Sequence, residues 1–88
     1  MKISKNFILR EIAGSNVVVP VGQDLVDFSS MITLNETGAF LWNALLEDCT
    51  YEELCDKLLS EYEGISREEA LSDITTFVDA LKEKNILE

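Results

Sequence analysis

Two cysteines and a surplus of carboxylates are the side chains of this sequence with the most chemistry to offer. Cys49 and Cys55 are separated by five residues. A metal knuckle or redox pair normally uses a two-residue gap, and no histidine is present to complete a zinc set. Reduced structural thiols are therefore expected, with Cys55 on the apolar side of a helix and Cys49, just before that helix, partly exposed. Nucleophilic or general acid–base catalysis would need groups tuned and oriented as a pair. Without histidine there is no Ser-His or Cys-His arrangement. The 17 acidic residues fall mostly on the polar faces of amphipathic segments. Glu52-Glu53 and Glu68-Glu69 fall in first helical turns, where the helix dipole favours acids. Gly14, Gly22, Gly38 and Gly64 are scattered, so no glycine loop cradles a phosphate. No dense Asp/Asn ladder of the EF-hand kind exists. The reading is a protein without catalytic residues, metal or cofactor, whose function is recognition.

Charge narrows the kind of partner. The net charge is −10 over 88 residues, and it is uneven. Residues 1–46 hold four acids (Glu11, Asp24, Asp27, Glu36) and three bases, whereas residues 47–88 hold thirteen acids and four bases. Nucleic-acid affinity comes largely from Lys and Arg neutralising phosphates, so the second half would repel a phosphate backbone. An anionic membrane surface is disfavoured for the same reason. A neutral or basic partner fits. No apolar run approaches the ~20 residues that span a bilayer. Met1 to Lys5 has no long apolar stretch behind it, which makes the cytoplasm the expected address.

The elements that must present a recognition surface come in a clear order. Residues 1–88 are expected to form one domain. Phe7–Ala13 is β-rich and roughly alternating, Gly14-Ser15-Asn16 is a turn cluster, and Val17-Val18-Val19 follows as the second arm of a hairpin. Pro20 cannot donate to a ladder and is expected at a strand end or where the second strand lacks a neighbour. A third strand runs from Phe28 to Leu34, with Phe28, Ser30 and Ile32 on one face and Ser29, Met31 and Thr33 on the other. From Asn35, a good N-cap, the period becomes helical over Glu36–Leu46, apolar nearly all round. Thr50 and Glu53 make a capping box for a second helix. Its stripe is Tyr51, Leu54, Cys55, Leu58, Leu59 and Tyr62, and Gly64 ends it. Ser66 caps a third helix with the stripe Ala70, Leu71, Ile74, Phe77, Val78 and Leu81. Asn85 is its stop, and Ile86-Leu87 can fold back. The fold class is α+β, a three-stranded antiparallel sheet followed by three helices (β-β-β-α-α-α). The tight link between helices two and three is of helix-turn-helix kind. The edge of such a sheet can accept an extended peptide as an added strand, and it serves equally for dimerisation.

Leu34-Asn35-Glu36-Thr37-Gly38-Ala39-Phe40-Leu41-Trp42 resembles the strand-to-helix signature of the PqqD-like family. These are small proteins related to the D component of pyrroloquinoline quinone biosynthesis. Thr50-Tyr51-Glu52-Glu53-Leu54, Tyr62, Asp73-Ile74-Thr75-Thr76-Phe77-Val78 and Leu81 agree in order, so the resemblance spans residues 7–87. Asn85 stands where the family commonly has Gly. The resemblance implies a winged-helix-like, non-catalytic peptide-recognition domain. Such a domain binds the leader of a ribosomally made precursor peptide and presents it to a modifying enzyme, often a radical S-adenosylmethionine enzyme. It further implies that the leader adds beside the third strand, in a groove closed by the third helix. One wall would be Phe28, Ser29, Ser30, Met31, Ile32 and Thr33. The other would be Asp73, Thr76, Phe77 and Ala80, with Phe77 also a core candidate. Asn35, Thr37 and Gly38 read as a structural corner rather than a peptide contact.

Two other classes fit these residues less well. A winged-helix DNA-binding regulator would read DNA with residues 66–84. That segment carries Glu68, Glu69, Asp73, Asp79 and Glu83 against Arg67, Lys82 and Lys84, which argues against it. An acyl-carrier-like protein needs an Asp-Ser-Leu-type attachment serine in a helical bundle. Ser72-Asp73 has the wrong order, and a β-rich first third is out of place.

Overall fold

The computed structural model describes residues 1–21 and 32–88. Three antiparallel strands, β1 (Phe7–Ile12), β2 (Ser15–Pro20) and β3 (Ile32–Leu34), precede three helices, α1 (Glu36–Ala44), α2 (Tyr51–Glu61) and α3 (Arg67–Glu83). The sheet order is β1-β2-β3, so β2 is central and β3 lies at an edge. The part of the expected third strand that carries Phe28, Ser29, Ser30 and Met31 lies outside the described residues.

The hairpin is tighter than its turn cluster suggests. Ile12 pairs with Ser15 and Leu9 with Val18, leaving a two-residue loop of Ala13 and Gly14. Both have positive φ, 51° and 82°, the requirement of a type I′ turn, whose twist matches that of the strands. Ser15 and Asn16 are therefore strand residues and not turn, and it is Ala13 that adopts the left-handed backbone. Pro20 ends β2 opposite Phe7, as a residue without an N–H should. On the inner side, Val18 is fully buried and Phe7, Leu9, Ile32 and Leu34 pack against the core.

The helices begin where their caps dictate. Asn35 accepts from the Gly38 N–H at 2.7 Å. Thr50 and Glu53 form a reciprocal capping box, and Ser66 accepts from the Glu69 N–H. The end of α3 is a Schellman motif. The Ile86 N–H reaches the Leu81 carbonyl at 2.9 Å, and the Asn85 N–H reaches that of Lys82 at 3.1 Å. Asn85 sits at φ 57°, so it supplies the left-handed residue that glycine usually provides. Ile86 and Leu81, the apolar pair that accompanies the motif, are both fully buried.

Two expectations are corrected at the end of α1. The helix stops at Ala44, capped by Leu45, and Leu46 is 52% exposed. Its end is met by the first residues of the chain: the Ile3 N–H donates to the Leu45 carbonyl at 2.9 Å, and Cys49 donates to the Met1 carbonyl at 2.8 Å. That contact covers Cys49, which is only 3% exposed instead of partly open. The same segment pairs with the far end of the chain through an antiparallel Ile3–Leu87 bridge. The Ser4 N–H bonds the Ile86 carbonyl at 2.7 Å.

The core is one cluster. It is centred on Leu41, Trp42 and Leu45 of the α1 region, Leu54, Cys55 and Leu58 of α2, and Ala70, Ile74, Val78 and Leu81 of α3. Phe40 meets Tyr62 edge-on, with ring centroids 5.8 Å apart, which ties α1 to the end of α2. Among the described residues no helix is long and apolar enough to cross a membrane.

Candidate functional site

A cleft of about 330 Å³ opens between the β3–α1 corner and α3. Thr33, Leu34, Asn35, Thr37, Gly38 and Leu41 line it from the corner, and Asp73, Thr76 and Phe77 line it from the helix. The elements explain the shape. Asp73, Thr76 and Phe77 are spaced i, i+3 and i+4, so they share one face of α3. Its next face, Ala70, Ile74, Val78 and Leu81, is sunk in the core. Helix α3 is thereby locked in rotation, with Phe77 half-buried at the boundary. Phe77 both packs against the core and lines the cleft.

The corner is equally constrained. A Cβ on Gly38 would stand 3.2 Å from the Leu34 Cβ and 3.2 Å from Asn35 Oδ1. Glycine lets the first turn of α1 close onto β3, and the same Asn35 oxygen caps that turn. Asn35, Thr37 and Gly38 thus form a structural corner, and they also wall the cleft. That second role is not visible in the sequence, because a cap-and-glycine signal reads completely as a helix start. Leu34 and Leu41 likewise carry only strand and helix signals in the sequence, yet both line the cleft.

Of the residues expected to bind, Thr33, Asp73, Thr76 and Phe77 line this cleft. Ile32 lies at the start of β3, half-buried against the core. Ala80 is exposed on α3, one turn beyond the lining residues. Phe28, Ser29, Ser30 and Met31 lie outside the described residues. The edge of β3 turned away from β2 has no strand partner among the described residues. A strand edge beside a cleft offers two things at once: main-chain donors and acceptors in register, and a pocket for a side chain.

The walls of the cleft combine polar and apolar groups. Three threonine hydroxyls and one carboxylate surround the apolar side chains of Leu34, Leu41 and Phe77. The groups whose ionisation is displaced lie elsewhere. The Met1 amino group, donating to Asp48 at 2.8 Å, holds that carboxyl below its ordinary range. The Asp56 carboxylate, 2.8 Å from Arg67, raises that guanidinium further. Both cysteine thiols are buried beside cations: Lys57 Nζ is 3.6 Å from Cys49 Sγ, and Arg67 Nη1 is 3.5 Å from Cys55 Sγ. Among the described residues, no group of three or more Cys, Asp or Glu side chains is arranged to hold a metal ion.

The sequence profile described as coenzyme PQQ synthesis protein D matches residues 16–87. The chain belongs to this PqqD family. No curated protein matches the sequence at a significant level. Among solved structures, the chain is similar to one described as TbiB1 in complex with the TbiA(beta) leader peptide. The TM-score is 0.75 at 27% identity, covering 100% of this chain and 95% of that one. It is also similar in fold to a lasso peptide synthetase B1 complexed with the leader peptide. There the TM-score is 0.73 at 24% identity, covering 99% of this chain and 95% of that one. The β-β-β-α-α-α arrangement of the described residues therefore matches the PqqD-like fold of these structures.

Proposed function

We propose that this PqqD-family chain is a non-catalytic adaptor that binds the leader of a ribosomally made precursor peptide. It presents that peptide to a modifying enzyme, a radical S-adenosylmethionine enzyme being the first candidate. One observation carries the reading: the edge of β3, which has no strand partner among the described residues, runs beside a cleft closed by α3. It is supported by a structural neighbour, 27% identical over the whole chain, described in complex with a leader peptide.

In this reading the leader adds as an antiparallel or parallel strand along Phe28 to Thr33. Its backbone takes register from β3, and its alternate side chains meet Asp73, Thr76, Phe77 and Ala80. The partner enzyme supplies the chemistry. A helix-turn-helix DNA reader is disfavoured, because Glu68, Glu69 and Asp73 lie on α3 and would face phosphates.

The test is an amide-resolved NMR titration with the precursor leader encoded beside the gene. The expected result is saturable movement at residues 32–34 and 70–81. Leaders that leave those amides in place while binding elsewhere, or that do not bind at all, would defeat the proposal. The enzyme half is tested separately, by modification of the precursor with and without the adaptor. A rate independent of the adaptor removes that half alone.

A further inference from the structure

The cleft has a sign. Among the nine described residues that line it, Asp73 is the one charged side chain. The Asp73 carboxylate is exposed and makes no hydrogen bond or ion pair to another described residue. The bases of its own helix are spoken for or distant. Arg67 is held by Asp56 at 2.8 Å. Lys82 is nine residues along α3, roughly 13 Å at the helical rise, which exceeds the ~8 Å screening length of physiological salt. One turn before Asp73 stands Glu69, another acid. The remaining polar lining is neutral, and the Asn35 oxygen is already used in capping Gly38.

Resting on the reading of this cleft as the leader-peptide site, we infer that it selects a lysine or arginine of the bound peptide. The aliphatic stem lies over Leu34, Leu41 and Phe77, and the charged head meets Asp73 at the rim. Long cationic side chains suit such a site because the stem buries while the head stays near water. The face of Phe77 adds attraction for a cation passing over it. An acidic side chain would meet Asp73 with no compensating base. A purely apolar one would fill the floor but leave the carboxylate partly desolvated without a partner. The wider field acts in the same direction, since residues 47–88 hold thirteen acids and four bases and draw in basic segments.

The experiment uses the full chain and a surface-displayed library of extended peptides. NMR of selected peptides records whether the amides of Ile32–Leu34 move. The expected outcome is enrichment of Lys or Arg at one position. Asp73→Asn loses that enrichment, and Asp73→Lys turns it towards Glu or Asp. Replacing the selected lysine by norleucine weakens binding about 5-fold at low salt, the scale of a rim ion pair. The difference closes as salt rises to about 0.5 M and is absent against Asp73→Asn, the double-mutant control. Peptides that move the β3 amides but show no cationic preference, or the same preference with Asp73→Asn, overturn this inference and leave the leader-site reading standing. A library from which nothing engages β3 removes both.

Discussion

The two walls of the cleft are built on different foundations. Helix α3 carries four fully buried side chains, is capped by Ser66 at one end and closes in a Schellman motif at the other. Among the described residues the sheet contributes one fully buried residue, Val18, while its hairpin turns on an alanine in a left-handed conformation. One wall is thus held by interdigitated core packing, and the other chiefly by its ladder and by the Gly38 corner. The difference teaches how such a domain can be both stable and receptive. Stability is concentrated in the helices, while the edge of β3 has no strand partner among the described residues.

The largest effect expected from this contrast is in the helical core. Leu58 is fully buried on α2, and Leu58→Ala is expected to cost about 3 kcal/mol through lost burial and a residual cavity. Val18→Ala removes less volume and is expected to cost about 1.5 kcal/mol. Val17→Ala and Val19→Ala, at half-buried positions outside the core cluster, are each expected below about 1 kcal/mol. Urea denaturation of the four variants gives the ranking. If either outer valine proves as costly as Leu58, the asymmetry is wrong.

Gly38→Ala probes the joint between the walls. In an open helix position the substitution gains about 1 kcal/mol of propensity. Here the new methyl stands 3.2 Å from the Leu34 Cβ, a backbone-proximal atom with little room to retreat. Overpacking of about 1–3 kcal/mol is expected to outweigh the gain, for a net loss of about 1 kcal/mol. Peptide binding should fall as well, because Leu34 and Gly38 both line the cleft. A stabilised Gly38→Ala variant with unchanged binding would show that the corner is slack.

The smallest effect lies in the hairpin. Type I′ turns favour Asn-Gly, and asparagine tolerates positive φ better than alanine does. Ala13→Asn is expected to raise stability by about 0.5 kcal/mol, read as a higher urea midpoint at constant slope. A lower midpoint would mean that the strain at φ 51° is not what limits the turn.

Much of this architecture is legible in the residues, and the exceptions have separate physical causes. Caps at Asn35, Thr50 and Ser66, the stripe of α3 and the left-handed stop at Asn85 are local signals, each decided by residues within about a turn of one another. The hairpin turn is hidden in the sequence because alanine carries no signal for a left-handed backbone, whereas Ser15-Asn16 carries a strong but unused one. The docking of Met1–Ser4 against Leu45, Cys49 and Ile86 has no local sign at all, since it joins residues far apart in sequence. It nevertheless meets the end of α1 at Leu45 and covers Cys49. The cleft was half legible. Spacing along α3 singles out Asp73, Thr76 and Phe77, but a side chain's role as cap hides its role as wall, as at Asn35 and Gly38.

Trp42 gives the cleft an optical consequence. It is the single tryptophan of the chain, 1% exposed, and stands next to Leu41, which lines the cleft while Trp42 does not. Its emission is therefore expected to be that of an indole shielded from water, shifting to the red on unfolding. A peptide seated beyond Leu41 should leave its colour nearly unchanged. One built-in fluorophore then reports folding without reporting occupancy, so a leader that does shift it has moved the core itself.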